Sequence, residues 1–311
     1  MSFVLCRPVL SAVLMGSAGL LISTLACRPA AAQSCFSASK PLGMHRVLRV
    51  DTHSVTVRQL EGRITKRLAP KEVVLTFDDG PSPLSTKIVL TALRRHCTKA
   101  TFFMLGRSAK AYPHIAKQVA SAGHTVGSHG YAHRNLAGIN RNRARKDVEK
   151  GVQAVRAAIG GRSVSLFRFP YLSANRHLMG IMENLHLSAV SADIDARDYR
   201  IRTKSRLVKR VMRQLDRRGK GVILLHDTKK VTARALPALL TALRDSGYKV
   251  VHLVPGSGTP VTIARTIIPE FDPMRRGRIF AKCSDAITSK IKPPPSRPGR
   301  RIAMAAAPKK C

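Results

Sequence analysis

Short apolar runs and longer amphipathic segments alternate through the middle of this chain. The runs fall at 73–77, 100–105, 124–127, 165–169, 187–192, 222–225 and 250–254, and their length and Val, Ile, Leu and Phe content read as buried strands. Between them, 85–96, 108–122, 141–159, 205–218 and 232–246 place apolar residues at helical spacing, which predicts helices that cover the strands. Gly123, Gly160, Gly219 and Gly247 close several of these as helix C-terminal signals. Alternating strand and helix is the pattern of a parallel sheet with helices on its faces. Seven runs favour an irregular α/β barrel over an open doubly wound sheet. In either architecture ligands gather at the C-terminal ends of the strands, so the residues directly after each run are the first to inspect for chemistry.

The pattern stops at both ends. Residues 33–70 read as an N-terminal extension with one expected hairpin, around 45–60, ahead of a single domain at 71–255. Residues 256–311 turn Gly- and Pro-rich and then basic, including Pro293, Pro294, Pro295, Arg300, Arg301, Lys309 and Lys310. Such a tail cannot bury enough apolar surface to order itself and is expected to be largely disordered. At the start, Arg7 precedes a nearly uncharged run over 8–27, followed by Arg28, Pro29 and Ala30, Ala31 and Ala32. This is the layout of a secretory signal peptide over 1–32, cleaved after Ala32; the competing reading is an uncleaved membrane anchor. Cleavage would leave no transmembrane domain and would place the folded part in the periplasm, in the cell envelope or outside the cell.

Charge then narrows the partners. The 311 residues carry 55 Lys+Arg against 17 Asp+Glu, a net charge of +38, which predicts attraction to polyanions. Hydrophobic residues at 44% exclude wholesale disorder. Export argues against a specific nucleic acid, leaving an anionic envelope polymer, held through the basic tail, as the expected partner. Once Cys6 and Cys27 leave with the signal, Cys35, Cys97, Cys283 and Cys311 remain without a C-x-x-C pair, so a thiolate zinc site is unsupported. Their disulfide pairing stays open, and Cys97 reads as a small residue at a helix end.

The strand ends hold the chemistry. After the first run come Asp78 and Asp79, then Gly80 and Pro81. Neighbours on an extended strand point apart, so converging carboxylates need a bend, which Gly80 and Pro81 permit. One carboxylate can then ligate a metal while the other remains free as a base. After the third run, His129 and His133 stand in an H-x-x-x-H spacing that on a helical turn brings both imidazoles to one face. A His-His-carboxylate set leaves coordination positions open for water and substrate, as hydrolytic zinc and other divalent-metal sites require. The later runs end on Arg168-Phe169-Pro170-Tyr171, lead to Asp193, Asp195, Asp198 and Tyr199, and end on Leu224-Leu225-His226-Asp227.

The ordered set TFDDGP, H-x-x-x-H, R-F-P-Y, D-A-R-D-Y and L-L-H-D resembles the NodB-type polysaccharide deacetylases, carbohydrate esterase family 4. The resemblance covers roughly 73–254. It implies a distorted (β/α) barrel and a divalent metal on Asp79, His129 and His133, with zinc expected and cobalt or manganese as the other candidates. It further implies Asp78 as catalytic base and His226 as catalytic acid. Arg168 would orient the base, the Tyr171 backbone N–H would hold the oxyanion, and Leu224 would line the pocket for the acetyl methyl. Asp195 and Asp198 are both open as the acid supporting His226, and Tyr199 is the expected sugar-stacking residue, standing where relatives commonly have Trp. Gly130 stands where many relatives place Ser or Thr, removing a hydroxyl, and Phe169 and Leu172 replace the commoner Pro and Gly.

The reaction so implied is hydrolysis of N-acetyl groups on a hexosamine polymer, peptidoglycan or a chitin-like oligosaccharide, releasing acetate. The competing readings are an O-deacetylase acting on an acylated polysaccharide such as xylan, and a non-catalytic envelope polysaccharide-binding protein. The intact Asp78, Asp79, His129, His133 and His226 argue against the last, and the basic charge favours an anionic matrix over neutral xylan.

Overall fold

The structure is a computed structural model that describes residues 41–50, 60 and 62–256. The expected signal segment, the return arm of the expected hairpin and the basic tail lie outside the described residues, as do Cys35, Cys283 and Cys311.

Strand and helix alternate as β1 (Arg46–Val50), β2 (Glu72–Asp78), α1 (Ser85–Arg95), β3 (Thr101–Met104), α2 (Gly106–Ala111), α3 (Pro113–Ser121), β4 (Thr125–Ser128), α4 (Arg141–Ala158), β5 (Leu166–Phe167), α5 (Arg176–Asn184), β6 (Ser188–Ala189), β7 (Ile194–Asp195), α6 (Lys204–Arg218), β8 (Gly221–His226), α7 (Lys230–Asp245) and β9 (Lys249–Pro255). Every residue of β2 is buried, as a strand covered on both faces must be. The helices bury one stripe each: α4 buries Ala144, Val148, Gly151, Val152 and Val155, and its N-cap Asn140 accepts from Asn142 N. The single helix expected over 108–122 is broken, because Pro113 opens α3 at its first turn and Tyr112 before it takes φ −129, ψ 58.

Among the described residues every ladder is parallel. β2 is central, with Asp78 opposite Phe103 of β3 on one side and opposite His226 of β8 on the other. From β3 the sheet continues through β4 and β5 to β6, and from β8 to β7. Among the described residues no ladder joins β6 to β7, so the fold is a distorted, open (β/α) barrel. The segment joining β6 to β7 is held by a side chain: buried Arg168 donates from Nε to Val190 O at 3.2 Å and from Nη2 to Ser191 O at 3.0 Å.

β1 is the arm of the expected hairpin that falls within the described residues. It pairs in parallel with β9, Arg46 opposite Val251 through Val50 opposite Pro255, and it is fastened by a two-pronged ion pair. Arg46 Nε and Nη2 lie 2.8 and 2.7 Å from the two oxygens of buried Glu72. That guanidinium and the backbone N–H of Ala69 hold the Glu72 carboxyl down to about 2, against the opposing effect of burial. Where β3 and β4 begin, two further polar side chains are buried. His124 Nδ1 accepts from Ala100 N at 3.2 Å and His252 Nε2 lies 3.0 Å from Thr125 Oγ1. Burial, reinforced by nearby Lys99, lowers His124 to about 3 and His252 to about 4.

Candidate active site

Asp78 ends β2, and the bend that brings Asp79 to the same side falls on Asp79 itself, at φ 75. Gly80, expected as the hinge, is instead needed for space, because a Cβ there would collide with the Asp227 carboxylate. Asp227 is buried, and its carboxyl is raised to about 7 chiefly by desolvation, against a hydrogen bond from Thr86 Oγ1 at 2.5 Å.

His129 and His133 converge without a helix. The segment 129–133 is a loop with Gly130 at φ 75 and His133 at φ 59, and the two rings meet edge to face with centroids 5.1 Å apart. Gly130 is required at this point, because a Cβ would lie 2.7 Å from Asp147 Oδ1. Asp147 holds this loop directly. From α4 it accepts the Tyr131 N–H at 2.8 Å and so ties down the loop between the two histidines.

His129 Nδ1 lies 2.8 Å from the Arg168 carbonyl. That contact assigns its proton to Nδ1 and leaves Nε2 as a lone-pair donor. Its Nε2 is 3.8 Å from Asp79 Oδ1, and His133 Nε2 is 3.4 Å from the same oxygen. One donor atom from each of Asp79, His129 and His133 lies within 4.8 Å of the others. Asp79 Oδ1 is buried and accepts no hydrogen bond. A buried carboxylate oxygen without a donor is costly, and a cation would satisfy it. Two imidazoles and a carboxylate without thiolate fit a divalent ion of borderline character. Burial lowers the His129 pKa, with Asp78 and Asp79 opposing, which favours the neutral imidazole.

Asp78 is held from below. Arg168 Nη1 donates to Asp78 Oδ1 at 2.9 Å and to Thr76 Oγ1 at 2.6 Å, and the guanidinium stacks 4.3 Å from the Phe103 ring centre. Together with the carbonyls of Val190 and Ser191 this gives each of the three guanidinium nitrogens an acceptor, four bonds for five N–H donors. Asp78 Oδ2 faces the cleft, 3.9 Å from His129 Nε2.

His226 closes the opposite wall, with its Nε2 3.9 Å from Asp79 Oδ2. Of the two acids left open, Asp198 meets it. Its Oδ1 lies 2.6 Å from His226 Nδ1, and its Oδ2 accepts the His226 backbone N–H at 2.7 Å and Thr232 Oγ1 at 2.5 Å. Burial lowers the His226 pKa, but the Asp198 hydrogen bond and the charges of Asp198, Asp78 and Asp79 outweigh it and push it up to about 9. Asp195 instead accepts from Arg197 N at 2.8 Å and pairs with the Arg197 side chain at 3.6 Å.

One cleft of about 490 Å³ gathers Asp78, Asp79, His129, His133, Tyr171, Asp195, Tyr199, Leu224 and His226; Arg168 and Asp198 lie behind its wall. Tyr171, at φ 60, sets its exposed ring 4.7 Å from His133, and the Tyr199 ring stands 5.8 Å from His226. Phe169 and Leu172, noted from the sequence as departures beside the Pro-Tyr pair, also line the cleft, as do Arg200 and Lys229, which the sequence reading did not single out. Lys229 follows the L-L-H-D motif by two residues, and Arg200 follows D-A-R-D-Y directly; adjacency to the motifs was the available signal.

Residues 65–190 match the family model described as polysaccharide deacetylase. A peptidoglycan-N-acetylglucosamine deacetylase of Listeria monocytogenes is 31% identical over 209 residues, covering 67% of this chain and 44% of that protein. A chitooligosaccharide deacetylase of Azorhizobium caulinodans is 34% identical over 169 residues, 53% of this chain and 77% of that protein. Among solved structures, a Bdellovibrio bacteriovorus peptidoglycan deacetylase superposes with a TM-score of 0.57 at 31% identity, covering 71% of this chain and 58% of that one. The chain belongs to the polysaccharide deacetylase family, and it spans less than half the length of the Listeria relative.

Proposed function

We propose that this protein hydrolyses N-acetyl groups on a hexosamine polysaccharide, consuming water and releasing acetate and a free amine. The observation that carries it is the orphaned Asp79 Oδ1 within reach of two imidazole nitrogens, flanked by Asp78 on one side and His226 on the other. Asp79, His129 and His133 would hold the ion, for which we assign zinc, with cobalt or manganese as substitutes. When bound, such an ion acidifies water and polarises a carbonyl. Asp78, anchored through one oxygen by Arg168, takes the proton of the attacking water on the other. The Tyr171 backbone N–H donates to the oxyanion of the tetrahedral adduct. His226, kept protonated by Asp198, gives its proton to the departing nitrogen as the C–N bond breaks. Leu224 receives the acetyl methyl and Tyr199 a sugar face.

The names of the relatives support peptidoglycan or chitooligosaccharide as the polymer. The Ala-rich exit of the apolar N-terminal run supports export, and among the described residues no helix is long and apolar enough to cross a membrane. The catalytic unit spans 71–255, and the basic tail tethers it to anionic envelope polymer. The test is acetate release from N-acetylglucosamine oligomers by metal-loaded, chelated and reloaded protein, with Asp78→Asn and His129→Ala alongside. Chelation and His129→Ala should remove metal and activity together. Asp78→Asn should keep the metal and lose about 10²–10⁴ in turnover. Acetate release persisting in metal-free protein, or loss of metal from Asp78→Asn alone, would overturn the assignment.

A further inference from the structure

A second concavity of about 590 Å³ adjoins the catalytic cleft, and it is lined by Arg200, Ile201, Arg202, Arg206, Lys209, Arg210 and Arg213. Arg200 lines both cavities. The groove is made by one face of α6: residues 206, 209, 210 and 213 follow the i, i+3, i+4, i+7 rule, while Leu207, Val211 and Leu215 bury the opposite stripe. Arg210 is tied back to the Asp195 carbonyl at 3.2 Å. Arg202, Arg206, Lys209 and Arg213 are exposed, no acidic residue lines the groove, and none of the four has an ion pair among the described residues. Like charges at this spacing oppose helix formation, and a bound polyanion would relieve that repulsion.

Resting on the deacetylase reading, we infer that this groove is a carboxylate-binding subsite for the glycan strand whose N-acetyl sugar occupies the catalytic cleft. Continuity through Arg200 makes the two ligands parts of one polymer. A row of guanidinium forks suits carboxylates spaced along that strand. The class of substrate is therefore an acidic hexosamine polymer rather than neutral chitin.

The experiment compares equilibrium binding and acetate release for three probes: a neutral N-acetylglucosamine hexamer, a hexamer of the same sugars bearing a lactyl carboxylate on alternate residues, and the methyl ester of the latter. Full-length, metal-loaded protein is measured beside Arg206→Gln/Lys209→Gln/Arg213→Gln, whose exposed positions and good helix formers preserve α6. The triple variant should bind the carboxylate hexamer about tenfold more weakly, since exposed ion pairs are each worth a fraction of that factor. The neutral and esterified hexamers should be unaffected. In the wild type, 0.5 M salt should erase the preference for the acid over its ester. Equal binding of acid and ester by the wild type, or an equal loss for all three probes in the variant, would overturn the subsite. Binding is read without turnover, so a protein that prefers the acid yet releases no acetate would sink the deacetylase reading and leave the groove standing.

Discussion

Asp198 holds His226 at two points, through Nδ1 at 2.6 Å and through the backbone N–H at 2.7 Å. One carboxylate thus fixes the ring, its tautomer and the end of β8 together. Asp198→Asn keeps the shape and removes the charge. Turnover should fall by about 10²–10⁴ with metal content nearly unchanged, while the thermal midpoint drops because the amide nitrogen faces a donor that a carboxylate oxygen had accepted, as measured by acetate release, metal analysis and calorimetry. An asparagine variant with full turnover would show that His226 needs no charged partner.

Arg168 is 0% exposed and neutralises Asp78, which is 2% exposed. Arg168→Met would leave that carboxylate buried and unpaired and would free the segment at Val190 and Ser191, so stability should drop by about 3–5 kcal/mol. Arg168→Lys restores charge without the fork, and should recover part of the stability in urea unfolding while turnover stays low.

Gly130 and Asp147 are matched. Gly130→Ala places a Cβ 2.7 Å from Asp147 Oδ1 at a backbone φ of 75, a strain of about 1–3 kcal/mol. If Asp147 moves aside, Tyr131 N–H loses its acceptor and the loop from His129 to His133 loosens. Metal affinity should then fall along with stability, which a metal titration followed by urea unfolding would resolve. An alanine variant with wild-type affinity would show that the loop is held elsewhere.

Acid should unfold this protein in two stages. His124 and His252 sit at about 3 and 4 in the fold, against an ordinary 6.5, and Glu72 at about 2 against 4.5. All three are depressed, so the unfolded chain binds more protons between the paired values, and their stabilisation is present above the unfolded value and lost as pH falls. Stability should decline below pH 6.5 through the two histidines, partly offset by Asp227, whose value of about 7 lets the fold bind a proton the unfolded chain does not, and decline further below 4.5 through Glu72. Replacing both histidines with glutamine should flatten the first stage in chemical denaturation at stepped pH. A curve level down to pH 4.5 in the unmodified protein would contradict it.

Much of the site is legible in the linear order of residues because of a property of parallel sheets. Each apolar run ends at the same face of the barrel, so whatever follows Phe77, Gly127, Phe167 and Leu225 must converge there. That periodicity and the motif spacing bring Asp78, Asp79, His129, His133, Arg168 and His226 together before any coordinates are considered. The short elements were not legible: β7 has two residues, too few for a period, and α5 was passed over between two motifs. β1 carries no mark of whether its neighbour is a hairpin partner or a distant parallel strand.

Tertiary structure alone decided the remaining relationships, because they depend on side-chain direction and on contacts between distant segments. Asp195 and Asp198 are equivalent by spacing, and only the bend after β7 turns one toward His226. Asp147 looks like one more polar residue on an amphipathic helix until α4 is laid against Gly130. The convergence of Asp79 and His133 rests on positive φ values that neither residue type announces. The cations of α6 become a groove, rather than a solvated face, only where the chain sets Arg200 at the rim of the catalytic cleft.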